Sequence, residues 1–476
     1  MGDLFKNAAD TVEDLYKNTC LSPLNQQWNR LISTDMEQSG FLRNIEQQTD
    51  FYRKYIKPIV QNGNRVFVII SDALRFEVAQ ELCKELTTGT NGTAQISAMQ
   101  AVFPSITKLG MAAPLPHDAM TFHADLQHVC CDCNGDQLCT ENTKQRDAIL
   151  KKRCAKNTAV TYQELLAMKR EERRERVSGA ECVYIYHNKI DAVGDKAATE
   201  TQVFEACEDT VEELKNLVKL VVSTMNGSNI LITADHGFLY TYQPLAEYDK
   251  ANSSCISGDA FVISRRYMLT DDVCAADGML SVCMKRYAVD IKGYTPYAYV
   301  RMQKSGGGMN YVHGGVSLQE CVVPVITFQN VRTSSKRFVE IQNAQLQLLN
   351  IDRKLHNSIF SLNFYQTKPV KDKVIQGEYE IYFVNTDGMD ISDRQTVIAD
   401  KIDMCEKERI YRVRFTLKGM PFDRTAAYYL LITDKQRHTE LSRTKFEIQI
   451  AFTNDFDFKK INISKKPVVQ TRRGKI

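Results

Sequence analysis

The spacing of apolar side chains changes twice along this chain, and each change predicts a different kind of structure. Residues 1–60 repeat their apolar positions at helical intervals, through Leu4, Ala8, Val12 and Leu15 and again through Phe51, Tyr52, Tyr55, Ile56 and Ile59. This predicts a helical lead-in that packs on the neighbouring domain. Over 61–334 the pattern becomes short, wholly apolar runs, each leading into a helical segment, which is how strands buried on both faces of a parallel sheet read. The runs fall at 66–70 (VFVII), 182–186 (CVYIY), 230–233 (ILIT) and 322–328 (VVPVITF). After the first, Phe76, Ala79, Cys83 and Leu86 share a helix face; after the second, Val203, Cys207, Val211, Leu214, Val218 and Val221 do. Strand and helix in this alternation predict a three-layer α/β domain with a mostly parallel sheet.

Beyond 335 the period becomes two. Tyr411, Val413, Phe415 and Leu417 alternate with Arg412, Arg414 and Thr416, and Phe446, Ile448, Ile450 and Phe452 alternate with Lys445, Glu447, Gln449 and Ala451. Strands of this kind have one wet face. With the apolar stretches at 378–384 and 427–432 they predict a β-sandwich over 335–476, entered through the polar linker at 332–337. The basic tail at 465–476 reads as a solvated end.

Composition narrows the function classes. A length of 476 with 43% hydrophobic and 25% charged residues leaves room for two or three domains with real cores and excludes wholesale disorder. Sixty-one basic against 58 acidic residues gives +3, too near balance for a polybasic coat, so a polyanion would have to meet a local site. No run approaches the roughly 18 apolar residues of a membrane span, and the start MGDLFKNAADTVEDLY has no signal-peptide core, so a soluble, cytoplasmic chain without a membrane partner is expected. The 14 cysteines then read as reduced thiols. Cys130 and Cys133 have CxxC spacing, with Cys131 and Cys139 beside them, which admits a zinc knuckle. No second pair or HxxxH accompanies them, so free thiols are the expectation.

The chemistry collects where strands end, since in an open α/β sheet the loops at that edge converge. The run at 66–70 is followed by Ser71 and Asp72. The run at 182–186 is followed by His187, Asp191 and Asp195, and the run at 230–233 by Asp235, His236 and Gly237. His313, in YVHGG, precedes the run at 322–328. Brought to one edge, these acids would repel unless cations sat between them, and carboxylates with neutral imidazoles are ligands of Zn²⁺, Mn²⁺ and related ions. Two ions would need about this many side chains. The segment VFPSITK adds hydroxyls at Ser105 and Thr107 that a metal could activate as nucleophiles. Singly, each residue has an ordinary reading: a helix cap for Asp72, a surface pair for Asp235 and His236, a turn at His313, a cap after Pro104. Only the ordered conjunction argues for a site.

That conjunction, in VIISDALRFEVAQEL, VFPSITKLGMAAPLPH, YIYHNKIDAVGD, ILITADHGFLY and YVHGGVSLQE, resembles the PglZ family of the alkaline phosphatase superfamily of two-metal hydrolases, over about residues 60–330. The resemblance implies one metal on Asp72, Thr107, Asp235 and His236 and another on Asp191, Asp195 and His313. It implies Thr107 as the nucleophile, with Ser105 the alternative, and a phosphoenzyme intermediate. Two divalent ions are implied, zinc first with manganese or magnesium as alternatives; many superfamily phosphodiesterases have His where this chain has Asp195, which makes that site richer in oxygen and suits it to Mn²⁺ or to weaker zinc binding. Arg75 and Lys108 are candidates to neutralise a phosphoryl oxygen, and His187, His117 and the glycines at 306–308 to meet the substrate. The expected function is a phosphodiesterase or nuclease of a bacterial phage-defence system, with a phosphoester substrate, DNA among the candidates, and methyltransferase and ATPase partners. The rival expectation is a catalytically weak or inactive scaffold of the same complex. Longer family members carry a large N-terminal region that this chain lacks, so a docking role located there is not carried over.

Overall fold

The computed structural model describes residues 2–123, 125–243, 245, 250–251, 260–271, 278–287, 289, 291–303, 310–331, 335 and 339–450. The glycines at 306–308, the basic tail, Phe452 and most of the 332–337 linker lie outside the described residues. The chain divides into two units, Met1–Val339 and Glu340–Ile476.

The first unit is a mixed α/β structure around a seven-stranded sheet. Its strands are β1 (Glu46–Gln47), β2 (Val66–Ser71), β3 (Thr93–Gln100), β4 (Thr158–Thr161), β5 (Cys182–His187), β6 (Asn229–Thr233) and β7 (Val322–Gln329), in the order β1-β3-β7-β6-β2-β5-β4. All run parallel except β7, which is antiparallel to both β3 and β6. Every residue of β2 and β5 is buried, as expected of central strands covered on both faces. Helices α1 (Ser22–Ser39), α2 (Phe76–Gly89), α3 (Thr107–Gly110), α4 (Ile190–Gly194) and α5 (Val203–Met225) accompany the sheet. The apolar faces read from the sequence on α2 and α5 are largely buried. The early helical region supplies Ile32, Met36, Phe51 and Ile56 to the same core, although Val12 and Leu15 stay exposed.

Strand direction decides what meets. Pairing of Ser71 with His187 and of Ile70 with Thr233 aligns β2, β5 and β6, so the segments carrying Asp72, Asp191 and Asp235 leave the sheet at one edge. Parallel β3 ends there too and leads to Thr107. Because β7 is antiparallel, starting at Val322 opposite Gln100, its preceding loop with His313 arrives at that same edge.

The cysteine cluster lies on a three-stranded sheet at 119–139. Cys130 faces Cys139 across it with sulfurs 3.6 Å apart, while Cys131 and Cys133 are buried and donate to the carbonyls of Ala112 and Pro116. Residues three apart on a strand point to opposite faces, so the CxxC pair cannot grip one ion there.

In the second unit, strands β8 (Leu346–Leu348), β9 (Lys354–Leu355), β10 (Ile359–Gln366), β11 (Gly377–Val384), β12 (Gln395–Ala399), β13 (Ile410–Thr416), β14 (Tyr428–Asp434) and β15 (Thr439–Ile448) form two main sheets, β8-β10-β13 and β9-β15-β14-β11-β12. The expected alternation holds, with Val413 and Phe415 buried and Arg412 and Arg414 exposed. One apolar cluster draws on both sheets, with the rings of Phe383 and Phe415 5.6 Å apart.

Candidate metal centre

At the convergent edge the chain turns sharply after β2. Ala73 sits at φ 59°, a left-handed conformation costly for a residue with a side chain, and its N–H donates to Asp235 Oδ1 at 3.0 Å. The His236 N–H donates to the same oxygen at 2.9 Å. Asp235 Oδ2 and Asp72 Oδ1 are left over, both buried and without a donor among the described residues. They lie 3.4 and 3.6 Å from His236 Nε2. His236 Nδ1 donates to the Gly237 carbonyl at 3.0 Å, which orients the ring so that Nε2 faces the carboxylates. Thr107 Oγ1 stands 3.1 Å from that Nε2.

A second cluster adjoins the first. The rings of His236 and His313 stack at 4.1 Å, His313 Nδ1 meets the Ser105 carbonyl at 3.2 Å, and His313 Nε2 turns to Asp191 Oδ1 at 3.9 Å. Among the described residues, ligand atoms of Asp72, Asp235 and His236, and those of Asp191, His236 and His313, lie within 4.8 Å of one another. Asp195, directly after α4, stands outside both triads.

The electrostatics reflect burial and crowding. Burial, then the charges of Asp235 and Asp191, push the Asp72 carboxyl well above its ordinary range. Burial and Asp191 push Asp195 up, while burial and His236 push His313 down toward neutral imidazole. Imidazole nitrogens, orphaned carboxylate oxygens and a hydroxyl in one pocket are the donor set of a hard or borderline divalent cation, so the residues fit such an ion.

Other predicted residues are engaged elsewhere. Ser105 is fully buried and donates its hydroxyl to the Gly315 carbonyl at 2.7 Å. Lys108 donates to the Leu126 carbonyl at 3.1 Å. Arg75 pairs with Glu77 and lies over the Phe238 ring. His187 is buried between Ser71 Oγ and Glu213 Oε2, both at 2.9 Å, as a strand-end linker. His117 is half-buried and lines a separate cavity with Arg153 and Arg286.

Several positioning residues escaped the sequence reading. Tyr311 donates to Asp191 Oδ1 at 3.0 Å. Gln48 donates to the carbonyls of Ala234 and Asp235 and accepts from Val102 N–H, tying the DH turn to the segment before Thr107. Glu320 accepts Gly315 N–H at 2.9 Å and pairs with Arg266 at 2.7 Å, both fully buried. From α1, Trp28 donates to the Val316 carbonyl and Asn25 binds Gln319 and Leu318 N–H, so the lead-in helps hold the loop after His313. Only YVHGG, which contains Tyr311, gave a local signal; the rest are long-range contacts.

Comparison with known proteins adds four findings. Residues 51–328 match the family described as the BREX system PglZ alkaline phosphatase-like domain. The chain is 37% identical, over 96% of its length, to the alkaline phosphatase-like protein PglZ of Bacillus cereus, covering 53% of that protein. It is 32% identical, over 95% of its length, to the alkaline phosphatase-like protein BrxZ of Escherichia coli, covering 52%. The chain thus spans about half the length of the curated relatives it matches. Among solved structures, murine ectonucleotide pyrophosphatase/phosphodiesterase 5 matches at 12% identity and TM-score 0.37, over 56% of this chain and 88% of that one, a likeness too partial to carry weight.

Proposed function

This chain belongs to the PglZ family of BREX alkaline phosphatase-like proteins, and we propose that it is a metal-dependent phosphoester hydrolase, a phosphodiesterase or nuclease of a phage-defence complex. One observation carries the reading: Asp72 Oδ1 and Asp235 Oδ2 are buried without a donor among the described residues, 3.6 and 3.4 Å from the Nε2 of a histidine that also faces the Thr107 hydroxyl. Folding leaves such oxygens bare at high cost unless a ligand satisfies them.

Asp72, Asp235, His236 and Thr107 would hold one divalent ion, and Asp191 and His313, with Asp195 alongside, the other. When bound, the ions would supply the positive charge that polarises a phosphoryl group and lowers the pKa of a nearby hydroxyl. Thr107 Oγ1 is the attacking oxygen in this reading: its bond to phosphorus forms as the bond to the leaving oxygen breaks, its proton ends on the leaving alcohol, and water then cleaves the threonyl phosphate ester to restore the hydroxyl. The Gly237 carbonyl keeps His236 in the tautomer whose Nε2 faces that oxygen. Ser105, with its hydroxyl donated to Gly315, serves the loop and not the substrate. Zinc is the first candidate ion, and the acid at 195 favours manganese or magnesium as alternatives. A three-layer alkaline-phosphatase-like domain and a C-terminal β-sandwich complete the architecture, and the cytoplasm, DNA, a methyltransferase and an ATPase complete its setting.

The test incubates purified chain with Zn²⁺ or Mn²⁺ and bis-p-nitrophenyl phosphate, p-nitrophenyl phosphate or plasmid DNA, alongside Thr107→Ala and Asp235→Ala. Diester cleavage is expected to fall on the order of a thousand-fold or more in both variants. Equal rates in all three proteins would instead support the scaffold reading, and monoester cleavage alone a phosphatase.

A further inference from the structure

Two strand edges in the C-terminal unit open on one groove. β13 is the edge of the three-stranded sheet and β12 the edge of the five-stranded one; among the described residues the two strands do not pair, and only their extensions meet, at Ser392 and Leu417, which closes one end of the groove. The direction of their backbone groups can be read from their neighbours. Leu417 N–H donates to the Ser358 carbonyl at 2.8 Å, so odd-numbered residues of β13 bond β10. Even-numbered ones face the other way, as Thr416 shows by exchanging bonds with Asp393, whose N–H donates to its carbonyl at 3.0 Å and whose Oδ1 accepts its N–H at 2.8 Å. Arg412 and Arg414 therefore turn their N–H and C=O groups away from their own sheet. On β11 the Glu378 carbonyl accepts the Lys435 N–H from the β14 side at 3.0 Å, so the odd-numbered residues of β11 bond the odd-numbered residues of β12, and Thr396 and Ile398 turn their groups outward. None of these main-chain groups has a partner among the described residues.

The groove between them measures about 690 Å³. Tyr411 and Val413 line it toward the core, and the exposed apolar side chains of Ile398 and Ile410 flank it. Its charge is one-sided. Arg412 and Arg414 are exposed and pair with no carboxylate among the described residues, unlike Arg394 and Arg443 of the same unit. Asp393, the acid in the lining, already spends its oxygens on Thr416 N–H and Gln395 Nε2. An open edge of this kind invites another strand unless something blocks it.

We propose that this groove is a peptide-binding site that takes an extended segment of a partner protein as a strand added along β13. Residues of the segment opposite Arg412 and Arg414 are acidic, because cross-strand neighbours share a face and opposite charges there attract. Those between them are apolar, turned inward with Tyr411 and Val413. The alternating main-chain donors and acceptors favour a peptide over a nucleic-acid strand, which would use the two arginines but leave the edge unpaired.

Fluorescence anisotropy on the full chain decides the matter. The probes are fluorescein-labelled octapeptides of alternating valine and glutamate, of alternating valine and lysine, and the glutamate peptide with alternate nitrogens methylated, together with an eight-nucleotide oligothymidylate. The glutamate peptide should bind, and methylation on the edge-facing nitrogens should abolish binding. The double variant Arg412→Glu, Arg414→Glu should bind it at least roughly ten-fold more weakly and prefer the lysine peptide. Both substitutions are on exposed side chains, and a thermal melt checks the fold. No binding of the glutamate peptide at millimolar concentration, indifference to methylation, or tighter binding of the oligonucleotide would each overturn the proposal. So would a concentration-dependent dimer in sedimentation that the double variant abolishes without any peptide binding, which would give the groove to a second copy.

Discussion

Asp72 and Asp235 are 2% and 0% exposed, and each keeps one oxygen without a donor among the described residues. Asp390 and Glu380, in the C-terminal unit, share Arg394 at 2.8 and 3.1 Å on a half-exposed surface. The two settings treat the same chemical group in opposite ways. At the surface, water satisfies an acid whether or not an arginine is near, so the pairing says little about purpose. In the strand-end pocket no donor among the described residues satisfies those oxygens, and the stacked rings of His236 and His313 lie beside them. A missing partner under burial thus points to a ligand, while an abundance of partners at the surface does not.

The sharpest break of that comparison would come from the buried pair that is fully satisfied. Glu320→Ala should lower stability by about 3 to 5 kcal/mol in urea denaturation, because it strands Arg266 with its charge in the core and releases Gly315 N–H. A loss under about 1 kcal/mol would show that the loop after His313 is held by other contacts. A smaller effect of opposite sign is expected at the unsatisfied acid. In metal-free protein Asp72→Asn should raise stability, by about 1 kcal/mol, the scale of ordinary stabilising substitutions, since it removes a charge that burial and its neighbours disfavour.

The pH dependence sharpens that second outcome. Asp72 titrates higher in the folded chain than in the unfolded one, so the folded state holds its proton more tightly and loses stability as pH rises through the ordinary carboxylate range and beyond. The advantage of the asparagine should therefore be largest near pH 8 and vanish near pH 4. Saturating Mn²⁺ or Zn²⁺ should reverse it, because the native chain gains binding energy that the variant lacks; at about 100 times Kd that gain is roughly 2.7 kcal/mol. A metal-independent difference between the two proteins would dissociate the acid from ion binding. The smallest effect belongs to the surface: a double-mutant cycle on Arg394 and Asp390 should give a coupling below about 1 kcal/mol, shrinking further in salt.

Much of the architecture was legible because burial imposes period. A strand covered on both faces must be wholly apolar, and so 66–70, 182–186 and 230–233 announced themselves, as did the one-sided alternation of β13. The acids after those runs were legible too, since loops at a sheet's carboxyl edge converge. Less visible was the support around them. Gln48, Trp28, Asn25, Arg266 and Glu320 look ordinary in sequence, and each acts through a partner between 54 and 294 positions away. The cysteine cluster went the other way: spacing that suits a zinc knuckle on a turn fails on a strand, where Cys130 and Cys133 face opposite sides.

The sequence by itself determined which segments are strands, which carry hydroxyl, acid and imidazole groups, and in what order, because local periodicity and side-chain chemistry settle those. It did not determine that β7 runs against its neighbours. That reversal brings His313, which precedes a strand, to the edge where Asp72, Asp191 and Asp235 come after theirs. Strand direction is fixed by which chains of hydrogen bonds and which buried faces can be completed together, a property of the assembled sheet and not of any one run within it.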